Sequence, residues 1–144
     1  MISTKGRYAL RLMIDVAAYS NGEVVSLKDI SKRQNISIKY LEQVVSLLVK
    51  GGMLISVRGN NGGYLLTKKP SEYTAGDILR VAEGTLAPIA CLQLDPIECE
   101  RQDSCSTIDF WRGYYKVIND YVNNITLEDL ANKEIARIGN DYSI

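Results

Sequence analysis

Residues 37–50, SIKYLEQVVSLLVK, decide how this chain folds, because their spacing gives one helix two different faces. Leu41, Val44, Val45, Leu48 and Val49 fall at the i, i+3, i+4, i+7, i+8 intervals of a buried stripe. Lys39, Gln43, Ser46 and Lys50 take the opposite side, with Tyr40 and Glu42 beside them near the amino end and Ser37 placed to cap the helix. Amides, hydroxyls, cations and one carboxylate are groups that touch base edges and phosphates, and nothing among them suggests a catalyst. The pattern predicts a DNA recognition helix.

Immediately upstream, Ser26 and Asp29 supply a hydroxyl cap and a first-turn carboxylate for a short helix that carries Leu27 and Ile30 inward and ends near Gln34. Asn35 and Ile36 form the turn, so the two helices make a helix-turn-helix pattern. An earlier helix is expected from Ser3 or Thr4 through Tyr19, with Leu10, Met13, Ile14, Ala17 and Ala18 as its buried stripe. Asn21 and Gly22 end it, and Val24 and Val25 suggest a brief strand. Downstream, Gly51 and Gly52 stop the central helix, and LISVRG and YLLT flank Gly59, Asn60, Asn61, Gly62 and Gly63 as a β-hairpin with Arg58 at its base. A glycine loop that opens a helix and carries a Walker lysine cradles nucleotide phosphate. This one joins two strands, so it reads as a wing that lets backbone approach DNA, or as a plain hairpin turn.

After Pro70 the chain changes character. Thr74 and Asp77 open a short helix with Ile78, Leu79 and Ala82 inward, ending at Gly84. Residues 85–106 show no periodicity, contain Pro88 and Pro96, and hold all three cysteines. Ser106 or Thr107 begins a longer helix with apolar positions Trp111, Tyr114, Tyr115, Ile118, Tyr121 and Val122, a composition suited to a dimer interface or to packing within one chain. A last helix follows Thr126, with Leu127, Leu130, Ala131 and Ile135 on its apolar side. The expected class is mostly α with a small β-hairpin wing: a winged helix-turn-helix region over 1–70, a connecting helix over 71–84, a cysteine-containing sensor loop over 85–106, dimerisation and C-terminal helices over 107–138, and an exposed tail over 139–144.

Lysine and arginine balance aspartate and glutamate at 17 each, but unevenly along the chain. Residues 1–70 hold eleven basic against four acidic groups, a net +7, and the remainder is net −7. A basic half of that kind suits phosphate neutralisation, although a solvated basic surface has the same composition. There is no histidine, which removes Ser-His-Asp and Cys-His nucleophile arrangements and every imidazole-dependent metal site. Cys91, Cys99 and Cys105 are odd in number and carry no secretion signal, which favours metal or redox use over a disulfide framework. No apolar run approaches the roughly 18 residues of a membrane span, and Arg11 and Asp15 interrupt the apolar amino terminus, so a cytoplasmic protein is expected.

Taken in order, STKGRYAL, ISIKYLEQ, SVRGNNGGYLL, TAGDILRVAEG and NITLEDL resemble the IscR/CymR family of bacterial winged-helix transcription regulators over nearly the whole chain. The resemblance implies a non-enzymatic homodimer on pseudo-palindromic double-stranded DNA, with the long helix after Thr107 as the dimer interface. It implies a repressor of genes for iron-sulfur cluster or cysteine and sulfur metabolism. It places DNA contacts on Ser37, Lys39, Glu42, Gln43, Arg58, Gly59, Asn60, Asn61, Gly62 and Gly63, with Tyr40 toward the DNA backbone.

Seven residues separate Cys91 from Cys99 and five separate Cys99 from Cys105, similar to the loop in which three thiolates and a histidine hold a 2Fe-2S cluster in the iron-sulfur branch. Here the histidine's place, three beyond the last cysteine, is Ile108, and the first interval is longer than in the best-known members. A fourth ligand is left open among Asp109, Asp103, Glu98, Glu100 and a partner group; a thiol-disulfide switch and incidental thiols are the alternatives. CymR-like members instead insert a carboxyl-terminal isoleucine into cysteine synthase, and this chain ends Tyr142, Ser143, Ile144. A winged-helix protein-protein adaptor that never binds DNA is the remaining alternative.

Overall fold

Hydroxyl caps start five of the six helices in the computed structural model, which describes residues 1–141. Ser3, Ser26, Ser37, Thr74 and Thr126 each accept a hydrogen bond from a backbone N–H of the turn that follows. The elements are α1 (Thr4–Tyr19), α2 (Leu27–Gln34), α3 (Ile38–Lys50), β1 (Leu54–Val57), β2 (Gly63–Leu66), α4 (Ala75–Glu83), α5 (Ile108–Asn123) and α6 (Leu127–Asp141). Strands β1 and β2 pair antiparallel, with Leu54 opposite Leu66 and Val57 opposite Gly63. The strand suggested at Val24 and Val25 is a single bridge from Val25 to Tyr64: two backbone bonds (2.9 and 3.0 Å) tie the segment before α2 to the outer side of the wing, and the chain turns into α2 at once.

α1 is the central post, packed on by α2, α3, α4, α6 and β2. Its fully buried apolar residues are Ala9, Leu12, Met13 and Val16, not the stripe of Leu10, Met13, Ile14, Ala17 and Ala18, of which only Met13 is fully buried. A helix covered on several sides has no single apolar stripe, and the nearly continuous small and apolar run leaves periodicity little to detect. Leu41, Val44, Val45 and Leu48 of α3 are buried in the same core, each contributing roughly 1.5–3 kcal/mol by burial.

Tyr73, fully buried just before α4, ties the wing to this core. Its hydroxyl donates to the Met53 carbonyl at 2.9 Å and accepts from the Thr67 and Lys68 N–H groups at 2.9 and 3.2 Å. α6 returns to pack on α1, with Leu127 and Ala131 buried. Ile135, expected inward, is half exposed, because the α1 contact covers only part of that face. α6 continues through Asp141, so the first part of the segment expected as tail is helical, whereas Tyr142, Ser143 and Ile144 lie outside the described residues.

α5 carries apolar side chains on two faces. Trp111, Tyr115, Ile118 and Val122 are half-buried, whereas Phe110, Tyr114, Val117 and Tyr121, spaced i, i+4, i+7, i+11, are 49–69% exposed. The stripe expected from sequence mixed the two sets. No helix among the described residues is long and apolar enough to cross a membrane.

Candidate nucleic-acid interface

The turn between α2 and α3 carries its own set of hydrogen bonds. Asn35 adopts the left-handed conformation (φ 53°) that lets an asparagine end a helix, and Ile36 N–H and Asn35 N–H both return to the Ser31 carbonyl. The Ser31 hydroxyl donates to the Ile36 carbonyl at 2.6 Å, and Ile36 itself is buried. Ser37 then caps α3 by accepting from Tyr40 N–H at 3.2 Å. With its apolar side committed to the core, α3 leaves Lys39, Glu42, Gln43, Ser46 and Lys50 exposed. Tyr40, expected to face the DNA backbone, is half-buried; its ring meets that of Tyr8 edge-on at 5.2 Å.

The wing explains its own glycines. A Cβ at Gly62 would overlap the Val57 carbonyl, and one at Gly63 would overlap the Val25 carbonyl across the bridge. Gly59 sits at φ +118°, a conformation that L side chains rarely adopt. Arg58, Gly59, Asn60 and Asn61 are exposed. Between the wing and the start of α2 lies a shallow cleft of about 220 Å³, lined by Leu27, Ser56, Arg58, Gly59 and Tyr64 among others. The structure therefore puts the exposed α3 residues and the wing on one packed frame, with no carboxylate pair or nucleophile-base pair among them.

Cys91 lies exposed on a 3-10 turn (Ala90–Leu92), Cys99 is half-buried and Cys105 is exposed. Cys99 and Cys105 line one small cleft with Arg101, Ser104 and Ser106, and Cys91 is not part of it. Hydrogen bonds from the Thr107 backbone N–H and hydroxyl, the latter at 3.6 Å, together with the nearby Arg101 charge, hold the Cys105 thiol below its usual range. Among the described residues no three cysteine or carboxylate groups converge on a metal position. Ile108, at the histidine's place, is buried as the first residue of α5 and offers no ligand atom. The donor set thus suits a soft metal or 2Fe-2S centre in kind, while in the single chain Cys91 lies outside the cleft that Cys99 and Cys105 share.

Two structuring carboxylates belong to no sequence motif. Asp15 is a fully buried carboxylate that accepts from both Arg33 and Gln34, and Glu83 accepts from the first turn of α1. An acid set between Ile14 and Val16 in a nearly continuous apolar run was the available signal for Asp15; none marked Glu83.

Comparison with known proteins agrees with this architecture. The sequence profile of the Rrf2 family, described as an iron-dependent transcriptional regulator, matches residues 2–133. The HTH-type transcriptional regulator IscR of Pectobacterium atrosepticum is 41% identical over 138 residues, 95% of this chain and 83% of that one. The structure of CymR (YrzC), the global cysteine regulator of B. subtilis, superposes with a TM-score of 0.75 at 39% identity, covering 92% of this chain and 97% of that one. T. potens IscR superposes with a TM-score of 0.74 at 36% identity, covering 93% and 88%. The chain belongs to the Rrf2 family of winged-helix, DNA-binding transcriptional regulators.

Proposed function

We propose that this regulator works as a homodimeric repressor on a pseudo-palindromic operator, with α3 in the major groove and the wing against the flanking backbone. The exposed face of α3 carries the reading. Gln43 can pair bidentately with adenine and Glu42 can accept from the cytosine amino group, while Ser37, Lys39, Arg58 and the backbone of the wing from Gly59 through Asn60, Asn61, Gly62 and Gly63 suit phosphates. The outward stripe of Phe110, Tyr114, Val117 and Tyr121 on α5 is the surface for a second copy, since four large apolar side chains in one exposed row gain from self-association. Selection from random duplexes tests this directly: enriched sequences should be inverted repeats with half-sites about one helical turn apart. Single half-sites, or no enrichment, contradict it.

The regulated genes are proposed to be those of iron-sulfur cluster or cysteine and sulfur metabolism, on the strength of the IscR and CymR relatives. Cys91, Cys99 and Cys105 are the proposed ligands of a 2Fe-2S cluster or another thiolate-bound metal, with an oxygen donor or a partner-subunit group as fourth ligand. Such a centre would supply a redox-responsive cross-link of the loop that leads into α5. Anaerobic reconstitution followed by absorbance and iron analysis tests it; equal iron in wild type and a triple Cys→Ala variant refutes it.

The likeness to CymR favours a second reading, in which Tyr142, Ser143 and Ile144 engage cysteine synthase and no cluster is needed. Deletion of Ile144 should then abolish binding of that enzyme, and binding that survives the deletion sinks the reading.

A further inference from the structure

α1 reaches the DNA-facing side of the fold through two chains of contacts that end on the turn and on the first turn of α3. In the first, the fully buried Asp15 accepts from Arg33 Nε (2.9 Å) and Nη2 (2.7 Å) as a bidentate fork and from Gln34 Nε2 (3.0 Å), while the Arg33 guanidinium stacks 4.0 Å over the Tyr19 ring. In the second, Arg11 Nε donates to Gln34 Oε1 (3.1 Å), and Arg11 Nη2 donates to the Gln34 carbonyl, at the end of α2. The same Arg11 guanidinium lies 5.3 Å from the centre of the Tyr8 ring, which packs edge-on against Tyr40 of α3.

We propose that Arg11, Asp15 and Gln34 are positioning residues for DNA recognition: held in α1 and at the end of α2, they fix the turn at Asn35 and the entry of α3, and so set where Lys39, Glu42 and Gln43 point. The inference rests on α3 being the recognition helix.

Stability alone does not account for the arrangement. Taking the Asp15 carboxylate fully out of water costs desolvation that its partners repay only with full hydrogen bonding, and well-packed apolar side chains of similar volume commonly serve a core as well or better. What a bidentate fork adds over an apolar contact is direction. Hydrogen bonds to base edges weaken steeply when a donor tilts well away from linear or moves beyond about 3.5 Å, whereas attraction to phosphate barely notices such a shift. A clamp that fixes the end of α2 and the first turn of α3 therefore acts on sequence-specific binding and leaves non-specific binding almost untouched. Gln34 is the junction, since its side chain links Asp15 to Arg11 and its carbonyl takes the other arm of Arg11.

The test compares affinity for an operator obtained by in vitro selection with affinity for a random duplex of equal length, at several salt concentrations. Arg11→Lys keeps the charge and loses the fork; Gln34→Met loses both side-chain links; Tyr8→Leu removes the ring against Tyr40; Tyr8→Phe keeps that ring and is the control. Arg11→Lys, Gln34→Met and Tyr8→Leu should each bind the operator about tenfold more weakly, the order of loss expected for a spoiled base contact. Random-duplex affinity should stay within about twofold, and the salt slope should be unchanged. Tyr8→Phe should match wild type; a loss there would mean that the hydroxyl itself touches DNA and would overturn the relay through Tyr8. Operator and random-duplex affinities that fall in parallel, or stay unchanged in variants with a lowered melting temperature, make the residues structural only and overturn the proposal. A wild-type protein that binds no duplex would instead remove the reading of α3 on which it rests.

Discussion

Glu83 Oε1, at the last residue of α4, accepts a hydrogen bond from Gly6 N–H at 3.1 Å and leaves no room for a Cβ at position 6. The same oxygen accepts from Ser3 N–H (2.7 Å) and the Ser3 hydroxyl (2.8 Å), so one carboxylate satisfies the open first turn of α1 and sits at its positive pole. The STKG segment is built to receive it.

Gly6→Ala should destabilise the protein by roughly 1–3 kcal/mol even though alanine is the better helix former, because Glu83 must withdraw and leave those donors unmatched. In a Glu83→Ala background only the end of the Ile2 side chain, 2.9 Å from the added methyl, has to shift, and the same substitution should cost little or stabilise. Chemical unfolding of the four proteins measures the coupling; additive effects would mean that the two residues do not constrain each other.

In the proposed dimer Val117 lies on the shared stripe of α5, so Val117→Glu should give a monomer with unchanged helix content, since the side chain is 69% exposed in the single chain. Sedimentation velocity and far-UV circular dichroism make the check. A dimer that persists in this variant would mean that the outward stripe of α5 is not the interface.

Asp129 accepts from Thr126 N–H while the Thr126 hydroxyl accepts from Asp129 N–H, a reciprocal cap at the start of α6; the Thr126 N–H bonded to the carboxylate, with the Thr126 hydroxyl beside it, holds the Asp129 carboxyl below its ordinary value of 3.8. A folded-state value below the unfolded one means that the contribution is present above pH 3.8 and is lost as pH falls through the lowered folded value. The difference in urea midpoint between wild type and Asp129→Asn should therefore be clear at neutral pH and shrink progressively below that point. A gap independent of pH would show that the carboxylate charge plays no part in the cap.

The helix-turn-helix and the wing were legible because each rests on local chemistry: Ser26 and Ser37 as caps, Asn35 as a left-handed stop, a clean stripe on α3, and glycines where strands must turn. Legibility failed where burial comes from more than one side. α1 is surrounded, so Leu12 and Val16 escaped its predicted stripe, and α5 carries two apolar faces that a single periodicity merged. Asp15 and Glu83 take their partners from 18 and up to 80 residues away, a separation no local pattern encodes. The placement of Cys91 apart from the cleft of Cys99 and Cys105 belongs to an aperiodic loop, for which spacing gives composition but not shape.

The salt dependence of operator binding tests the central claim most directly, because neutralising each phosphate releases counterions in proportion. Log affinity against log salt should fall steeply and linearly for wild type, and Lys39→Ala and Arg58→Ala should each weaken binding and reduce the slope by about one. Binding that is insensitive to salt, or Lys39→Ala and Arg58→Ala variants indistinguishable from wild type, would contradict the assignment of α3 and the wing as the DNA-binding surface.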